Sequence, residues 1–341
     1  MSIFANLSIT SAYNMNTSKI QTTVVFVGSG AIATALGNIL ASDEDVTVWL
    51  LSIEKEVIQS INELHINSSY FPNFHLNPLL KATDDKVVMM NADIIFLGIP
   101  STAIVSYLYE NKEYVSPAAL LVNLAKGFGP DHKLIPEIVE GFMPNHVLVM
   151  KGPSFAREII NRQPTAFTIA SGNESQFATF SELFEGTSIY LDFSTDVKGV
   201  EFASILKNIY AIVIGIVDAN FDSPNLRSLV LSRAINEMRS LMQRFGGNNE
   251  TIFNYCGFGD FSLTALNDLS RNRTLGLLIG KGFFTQGISD KVVLEGRIAV
   301  NVFYDLLQRE KTDPVDYPLM FELWKVFNEK YDIKKFVDNI L

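Results

Sequence analysis

The chain has 341 residues, 48% of them hydrophobic, which is material for about two domains of roughly 150 residues each. Its 27 Lys and Arg against 37 Asp and Glu give a formal charge of −10, a field that opposes nucleic acid and anionic membrane surfaces as partners. Any phosphate bound here must be gripped by a local group of cations working against that field.

Residues 1–22 are rich in Ser, Asn and Thr. They lack the basic leader and sustained apolar core of a secretory signal, and read as a disordered tail. A β-branched strand over 23–27 breaks at Gly28 and Gly30 and restarts as a helix from 31 to about 41. Further apolar strands are expected over 46–50, 93–98, 119–123 and 146–150, with helices between them, for example over 53–64. Near-continuous apolar strands alternating with helices predict a Rossmann-type, doubly wound, mostly parallel sheet covered on both faces.

The polar punctuation falls just after the strands. Gly28 and Gly30 follow the first, and Pro100-Ser101 follows Gly98. Lys126-Gly127 follows the strand ending at Asn123, and Gly152 to Ser154 follows Met150. In open α/β sheets ligands bind beyond the carboxyl ends of the strands, so four strand ends point at one crevice. The first turn reads Gly28-Ser29-Gly30-Ala31-Ile32-Ala33. Gly28 allows a tight turn, Gly30 lets the backbone approach a pyrophosphate, and the helix beyond offers free N–H groups to an anion. Ala33 stands at the third glycine position, where close packing tolerates it. After the second strand, Leu50, Leu51 and Ser52 supply neither an acid for a ribose nor an arginine for a 2′-phosphate. Ser52 and Lys55 lean weakly toward NADP.

From about Asp196 the strand pattern stops. Helices are expected over 198–217, 224–245, 257–266, 269–279, 290–308 and 318–328. The division expected is a dinucleotide-binding domain over 23–195 and an all-α substrate and catalytic domain over 196–341. The longest apolar run, 209–217, is well short of the roughly 18–20 residues that span a bilayer, so no integral membrane segment is expected. Lys207 lies on the apolar stripe Val200, Ala203, Tyr210, Ile214 at helical spacing. A lysine buried there has a lowered pKa and suits proton exchange with an alcohol. Asp260 follows Gly257 and Gly259. Ser270, Arg271 and Asn272 stand where a helix begins, with a capping serine and a guanidinium fork for phosphate. Cys256 is the only cysteine, which excludes an intrachain disulfide and fits a reducing, cytoplasmic setting. The four histidines have no metal-ligand spacing, and no metal is expected.

Several blocks together resemble the soluble NAD(P)-linked sn-glycerol-3-phosphate dehydrogenases of bacteria and eukaryotes. They are Gly28 to Ala35, Asn67 to Pro72, Gly98 to Ser101, Ala125 to Gly127, Gly152 to Glu158, Leu206 to Ile212, Ser232 to Met238, Gly257 to Asp260 and Leu269 to Asn272. The resemblance implies reversible reduction of dihydroxyacetone phosphate to sn-glycerol 3-phosphate with NAD(P)H, feeding phospholipid synthesis, with a homodimer as one assembly. By position it implies Lys207 as proton acceptor, Lys126 in contact with cofactor and substrate, and Asp260 polarising the reacting hydroxyl. Ser270, Arg271 and Asn272 would bind substrate, with Arg271 also reaching the cofactor. Gly152, Ser154 and Ala156 would line the cleft. Ala31, Ile32, Val293 and Glu295 would touch the dinucleotide beside Gly28, Gly30, Ala33 and Pro100. The chain departs from the family at Ile32-Ala33, after the second strand, and over 217–223. Two alternatives stay open from sequence: a related hydroxy-acid or keto-acid dehydrogenase, and a dinucleotide-binding protein without catalysis.

Overall fold

A computed structural model of the chain describes residues 21–283 and 290–341, of 290–295 the backbone only. Among the described residues, eight strands form one sheet: β1 (Thr22–Val27), β2 (Val46–Leu51), β3 (Lys81–Thr83), β4 (Ile94–Leu97), β5 (Leu120–Asn123), β6 (Val147–Lys151), β7 (Thr165–Ala170) and β8 (Ile189–Ser194). Their order is β3-β2-β1-β4-β5-β6-β7-β8. Every neighbouring pair is parallel except β6 and β7.

Side chains of β1 alternate between two cores, as the pleat requires. Val24 and Phe26 pack with Leu36, Leu50 and Phe96 on one face. Val25 and Val27 pack with Ile95, Ile104 and Leu108 on the other. Helices α1 (Ala31–Leu40), α2 (Lys55–Leu64), α3 (Ser101–Asn111), α4 (Ile135–Val139), α5 (Ala156–Ile160) and α6 (Phe177–Leu183) lie among the strands. The expected strands are all present, within a residue or two of their expected ends. Strands β3, β7 and β8 were not anticipated. β3 has only three residues, too few to show a period, and the last four of the six residues of β8 are only half-buried, so its pattern is blurred.

Beyond β8 the described chain is helical: α7 (Val197–Asn220), α8 (Pro224–Arg244), α9 (Asp260–Leu266), α10 (Arg271–Gly280), α11 (Asp290–Arg309), α12 (Pro318–Asn328) and α13 (Phe336–Ile340). At 24 residues α7 is longer than the apolar run 209–217, which it contains. It has the length and hydropathy of a membrane span, but 94% of its most apolar window is buried inside the fold. Helices α8, α9 and α10 supply that cover, which makes α7 the central core helix.

Close backbone approach between α7 and α10 depends on glycine. A β-carbon on Gly215 would sit 2.2 Å from the Arg273 carbonyl oxygen, and one on Gly276 would sit 2.1 Å from that of Ile212. Arg273 locks the same pair of helices, its guanidinium 2.8 Å from Asp218 on α7. Gly215→Val should therefore destabilise the protein by about 1–3 kcal/mol or more through overpacking. Gly172→Ala, where an added β-carbon meets nothing within 4 Å, should stay within about 0.5 kcal/mol of the parent. Urea denaturation of the two variants measures the contrast.

Candidate active site

Lys207 sits near the middle of α7, and only 4% of its surface is exposed. Its partner is delivered by a sharp bend. Residues Tyr255–Gly259 form one π-turn, with Gly257 at φ −89° and ψ −105°, and α9 begins at Asp260. A β-carbon on Gly257 would lie 2.2 Å from the Ile252 carbonyl oxygen, so the bend excludes other residues. Single π-turns of this kind recur at functional sites. An acidic residue in a helix's first turn is also favoured by the helix dipole.

Asp260 is 1% exposed and bridges two ammonium groups. Its Oδ1 lies 2.5 Å from Lys207 Nζ and its Oδ2 lies 2.9 Å from Lys126 Nζ. Lys207 also donates to Thr264 Oγ1 at 2.8 Å, and that hydroxyl donates to the Asp260 carbonyl at 2.7 Å. Two of the three Lys207 N–H positions are thus used. The third has no partner among the described residues. Lys126 donates to the Gly152 carbonyl at 3.3 Å, as Ser154 Oγ does at 2.9 Å. Lys126, Gly152, Ser154, Lys207 and Asp260 therefore form one connected cluster.

Burial pushes Lys207 down to about 7, because desolvation disfavours its charged form. Asp260 pulls in the opposite direction, and the Lys126 ammonium adds to the lowering. Cys256, within the bend, is fully buried, and burial raises its thiol to about 12.

The exposed quarter of Lys126 opens on a cavity that Ser101, Gly127, Asn208, Asn272 and Gly296 also line. Asn272 thus shares a cavity with Lys126, while Ser270 and Arg271 are placed differently. The Ser270 hydroxyl, expected on substrate, is buried and accepts the Arg273 N–H at 3.2 Å as the cap of α10. Arg271 is exposed at the first position of α10, with no hydrogen bond or ion pair among the described residues.

At the other end of the crevice Gly28 has φ +107°, and a β-carbon there would meet the Gly98 carbonyl at 2.9 Å. Asn67, fully buried, holds the turn by donating to the Ser29 carbonyl and to Thr34 Oγ1, both at 2.9 Å. Helix α1 starts at Gly30 with no side-chain cap, which leaves its first-turn N–H groups for an anionic ligand. Gly28, Gly30 and Pro100 line a groove of about 520 Å³ that runs past Ser52, Tyr70 and Tyr107. A glycine turn, an uncapped helix start and a long groove fit a dinucleotide. Ala31 and Ile32 are half-buried beside it, and Ala156 is half-buried at the start of α5. Ala33 is fully buried; its β-carbon packs beneath Gly98, so it seats the helix on the sheet. Val293 and Glu295 lie outside the described side chains.

Of the two residues behind the weak lean to NADP, Ser52 lines the groove with its Oγ bonded to Ser29 Oγ at 2.7 Å, and Lys55 is not among the residues lining it. Thr264 and Asn67 escaped the sequence reading as site residues. Thr264 carried a usable signal, since it stands one helical turn from Asp260. Asn67 opened one of the resemblance blocks, but no local pattern joins it to partners 38 and 33 residues away.

Comparison with known proteins follows the same lines. The N-terminal model of NAD-dependent glycerol-3-phosphate dehydrogenase matches residues 23–177, and its C-terminal model matches 196–338. The glycerol-3-phosphate dehydrogenase (NAD(P)+) of Leptospira biflexa is 33% identical over 321 residues, covering 86% of this chain and 96% of the relative. That of Bacillus subtilis is 31% identical over 327 residues, covering 93% of each. The crystal structure of glycerol-3-phosphate dehydrogenase from Coxiella burnetii superposes with a TM-score of 0.84 at 27% identity, covering 94% of this chain and 98% of that one.

The shared carboxylate carries a stability prediction. Asp260→Asn strands two ammonium groups and should cost about 3–5 kcal/mol at neutral pH. Without its counter-charge the folded Lys207 sheds its proton at a lower pH than in the parent, where it is lowered to about 7. Below that point the variant's folded state holds fewer protons than the parent's, so the deficit should shrink as pH rises toward about 7 and level off above it. Urea unfolding on both sides of that point checks both the size and the sign.

Proposed function

The chain belongs to the NAD-dependent glycerol-3-phosphate dehydrogenase family, and from that premise we propose that it interconverts dihydroxyacetone phosphate and sn-glycerol 3-phosphate with Lys207 exchanging the C2 hydroxyl proton. The observation that carries this proposal is the Lys207–Asp260–Lys126 cluster, buried between the strand ends and the helical half. The nicotinamide cofactor supplies the hydride donor or acceptor when bound. Gly28, Gly30 and the first turn of α1 would hold its pyrophosphate, with Pro100, Ala31, Ile32, Ala156, Val293 and Glu295 along its length.

Proton exchange falls to this chain's own residues. With its amine neutral, Lys207 accepts the hydroxyl proton of glycerol phosphate; as the ammonium, it returns that proton to the alcohol oxygen. Asp260 and Thr264 fix the direction in which its remaining N–H or lone pair points. Lys126 and Asn272 share the cavity where a triose would sit, with Gly152 and Ser154 at its edge. Arg271 is free to close as a bidentate fork on the phosphate. These cations supply locally what a net charge of −10 denies globally.

The adenosine end of the groove favours NADH over NADPH. Its lining includes Glu54, Asp84 and Glu110, and Lys86 is the one cation among the described residues there. A 2′-phosphate would be repelled by that balance. The expected location is the cytoplasm, the expected metabolic part is supply of glycerol phosphate for phospholipid synthesis, and the expected assembly is a homodimer. Cell fractionation, lipid labelling and light scattering test those three separately.

Two outcomes are expected of the purified protein. Lys207→Ala should lower kcat by roughly 10²–10⁴ in both directions. In the parent, kcat/KM for glycerol phosphate oxidation should rise with pH to a plateau above about 7, the value to which Lys207 is lowered. For ketone reduction it should fall above the same point, since that direction needs the ammonium. A Lys207→Ala protein working at the parent rate would remove the lysine from the mechanism. In fluorescence titrations without substrate, NADH should bind at least about tenfold more tightly than NADPH, a difference of about 1.4 kcal/mol. Equal affinities would contradict the charge argument.

A further inference from the structure

Behind the cluster lies a second buried ion pair that the proposed reaction does not use. Lys151, the last residue of β6, is 0% exposed, and its ammonium stands 3.5 Å from the carboxylate of Glu201, itself 1% exposed, on α7. Core packing has no need of two charges here, and a buried pair of this kind is often no more stable than apolar residues in its place. What the pair does touch is informative. The Lys151 ammonium donates to two main-chain carbonyls, those of Asn123 at 3.0 Å and of Ala125. Glu201 accepts from Asn123 Nδ2 at 2.6 Å, and Asn123 Oδ1 in turn accepts the Ala125 N–H at 3.0 Å. The backbone from the end of β5 to Ala125 is thus gripped at three points. The next residue is Lys126, which reaches Asp260.

A closed circuit results. It runs from Glu201 on α7 through Lys151 and the 123–125 backbone to Lys126, across Asp260 to Lys207, and back along α7. We propose that Lys151 and Glu201 are positioning residues that set the turn carrying Lys126 so that its ammonium reaches Asp260 opposite Lys207. Neither touches the cavity lined by Lys126 and Asn272, so their action is through Lys126. A structural filler would need only volume here; a clamp on one turn needs the donors and acceptors seen.

The test uses the full-length protein and the variant Lys151→Met/Glu201→Gln. This variant removes one charge of each sign, so the net field at Lys207 changes little, and its amide still offers Asn123 an acceptor. The first readout is the titration midpoint of Lys207, followed by NMR of ¹⁵N-labelled lysine side chains with no ligand present. Lys126 is a cation beside Lys207, so its withdrawal from Asp260 should move that midpoint upward. The second readout is kinetic and rests on the proposed reaction: kcat/KM for dihydroxyacetone phosphate should fall by roughly 10–10²-fold. A folded double variant with the parent's midpoint and the parent's kcat/KM overturns the proposal. Should the double variant fail to fold, Glu201→Asp, which keeps the charge but shortens the reach to Asn123 and Lys151, should shift the midpoint the same way by less, and an unmoved midpoint there overturns the proposal equally. A parent protein inactive on dihydroxyacetone phosphate would sink the proposed reaction, while the ligand-free titration would still judge the clamp.

Discussion

One buried carboxylate organises the molecule. Asp260 is almost wholly excluded from water, and a lone charge in that position would cost several kcal/mol. It is tolerable because one oxygen meets Lys207 and the other meets Lys126. The two lysines come from different halves of the chain, one from the central helix α7 and one from the turn after β5. Any relative displacement of sheet and helices would leave a charge unpaired. The π-turn before α9 and the glycine that permits it serve this constraint, because they deliver Asp260 to the two ammonium groups.

That pairing also shapes the chemistry. Burial alone would make Lys207 a poor cation, and Asp260 alone would make it a poor base. Together, with Lys126 adding its own repulsion, they leave an amine near neutrality, where either protonation state is accessible. At the far end of the crevice a left-handed glycine and a helix start without a side-chain cap leave main-chain N–H groups open, an arrangement that favours an anion even in a protein of net negative charge.

Much of this was legible from residue order, and the illegible part has a common cause. The strands showed as apolar runs, and Lys207 stood out because a single cation interrupts an otherwise apolar helical stripe. Gly28 and Gly30 announced the turn. Partnerships did not show: Asp260 is 53 residues from Lys207 and 134 from Lys126, and no local pattern joins them. Ser52 looked available to a ligand but is turned inward by Ser29. Lys151 drew no notice from sequence, since nothing nearby reveals that a helix fifty residues later brings Glu201 against it. Ser270 was legible as the cap of the helix that begins at Arg271, and its hydroxyl does accept the Arg273 N–H. Residue types and periods predict which elements form; pairings that depend on how elements meet in space need the fold.

The most direct test of the account is a crystal structure of the protein with sn-glycerol 3-phosphate and the oxidised dinucleotide. The C2 oxygen should lie within hydrogen-bond reach of Lys207 Nζ, about 2.6–3.2 Å, with Asp260 still spanning both lysines and the phosphate against Asn272 and Arg271. Substrate bound away from Lys207, or a ternary complex in which Asp260 has released both ammonium groups, would contradict it.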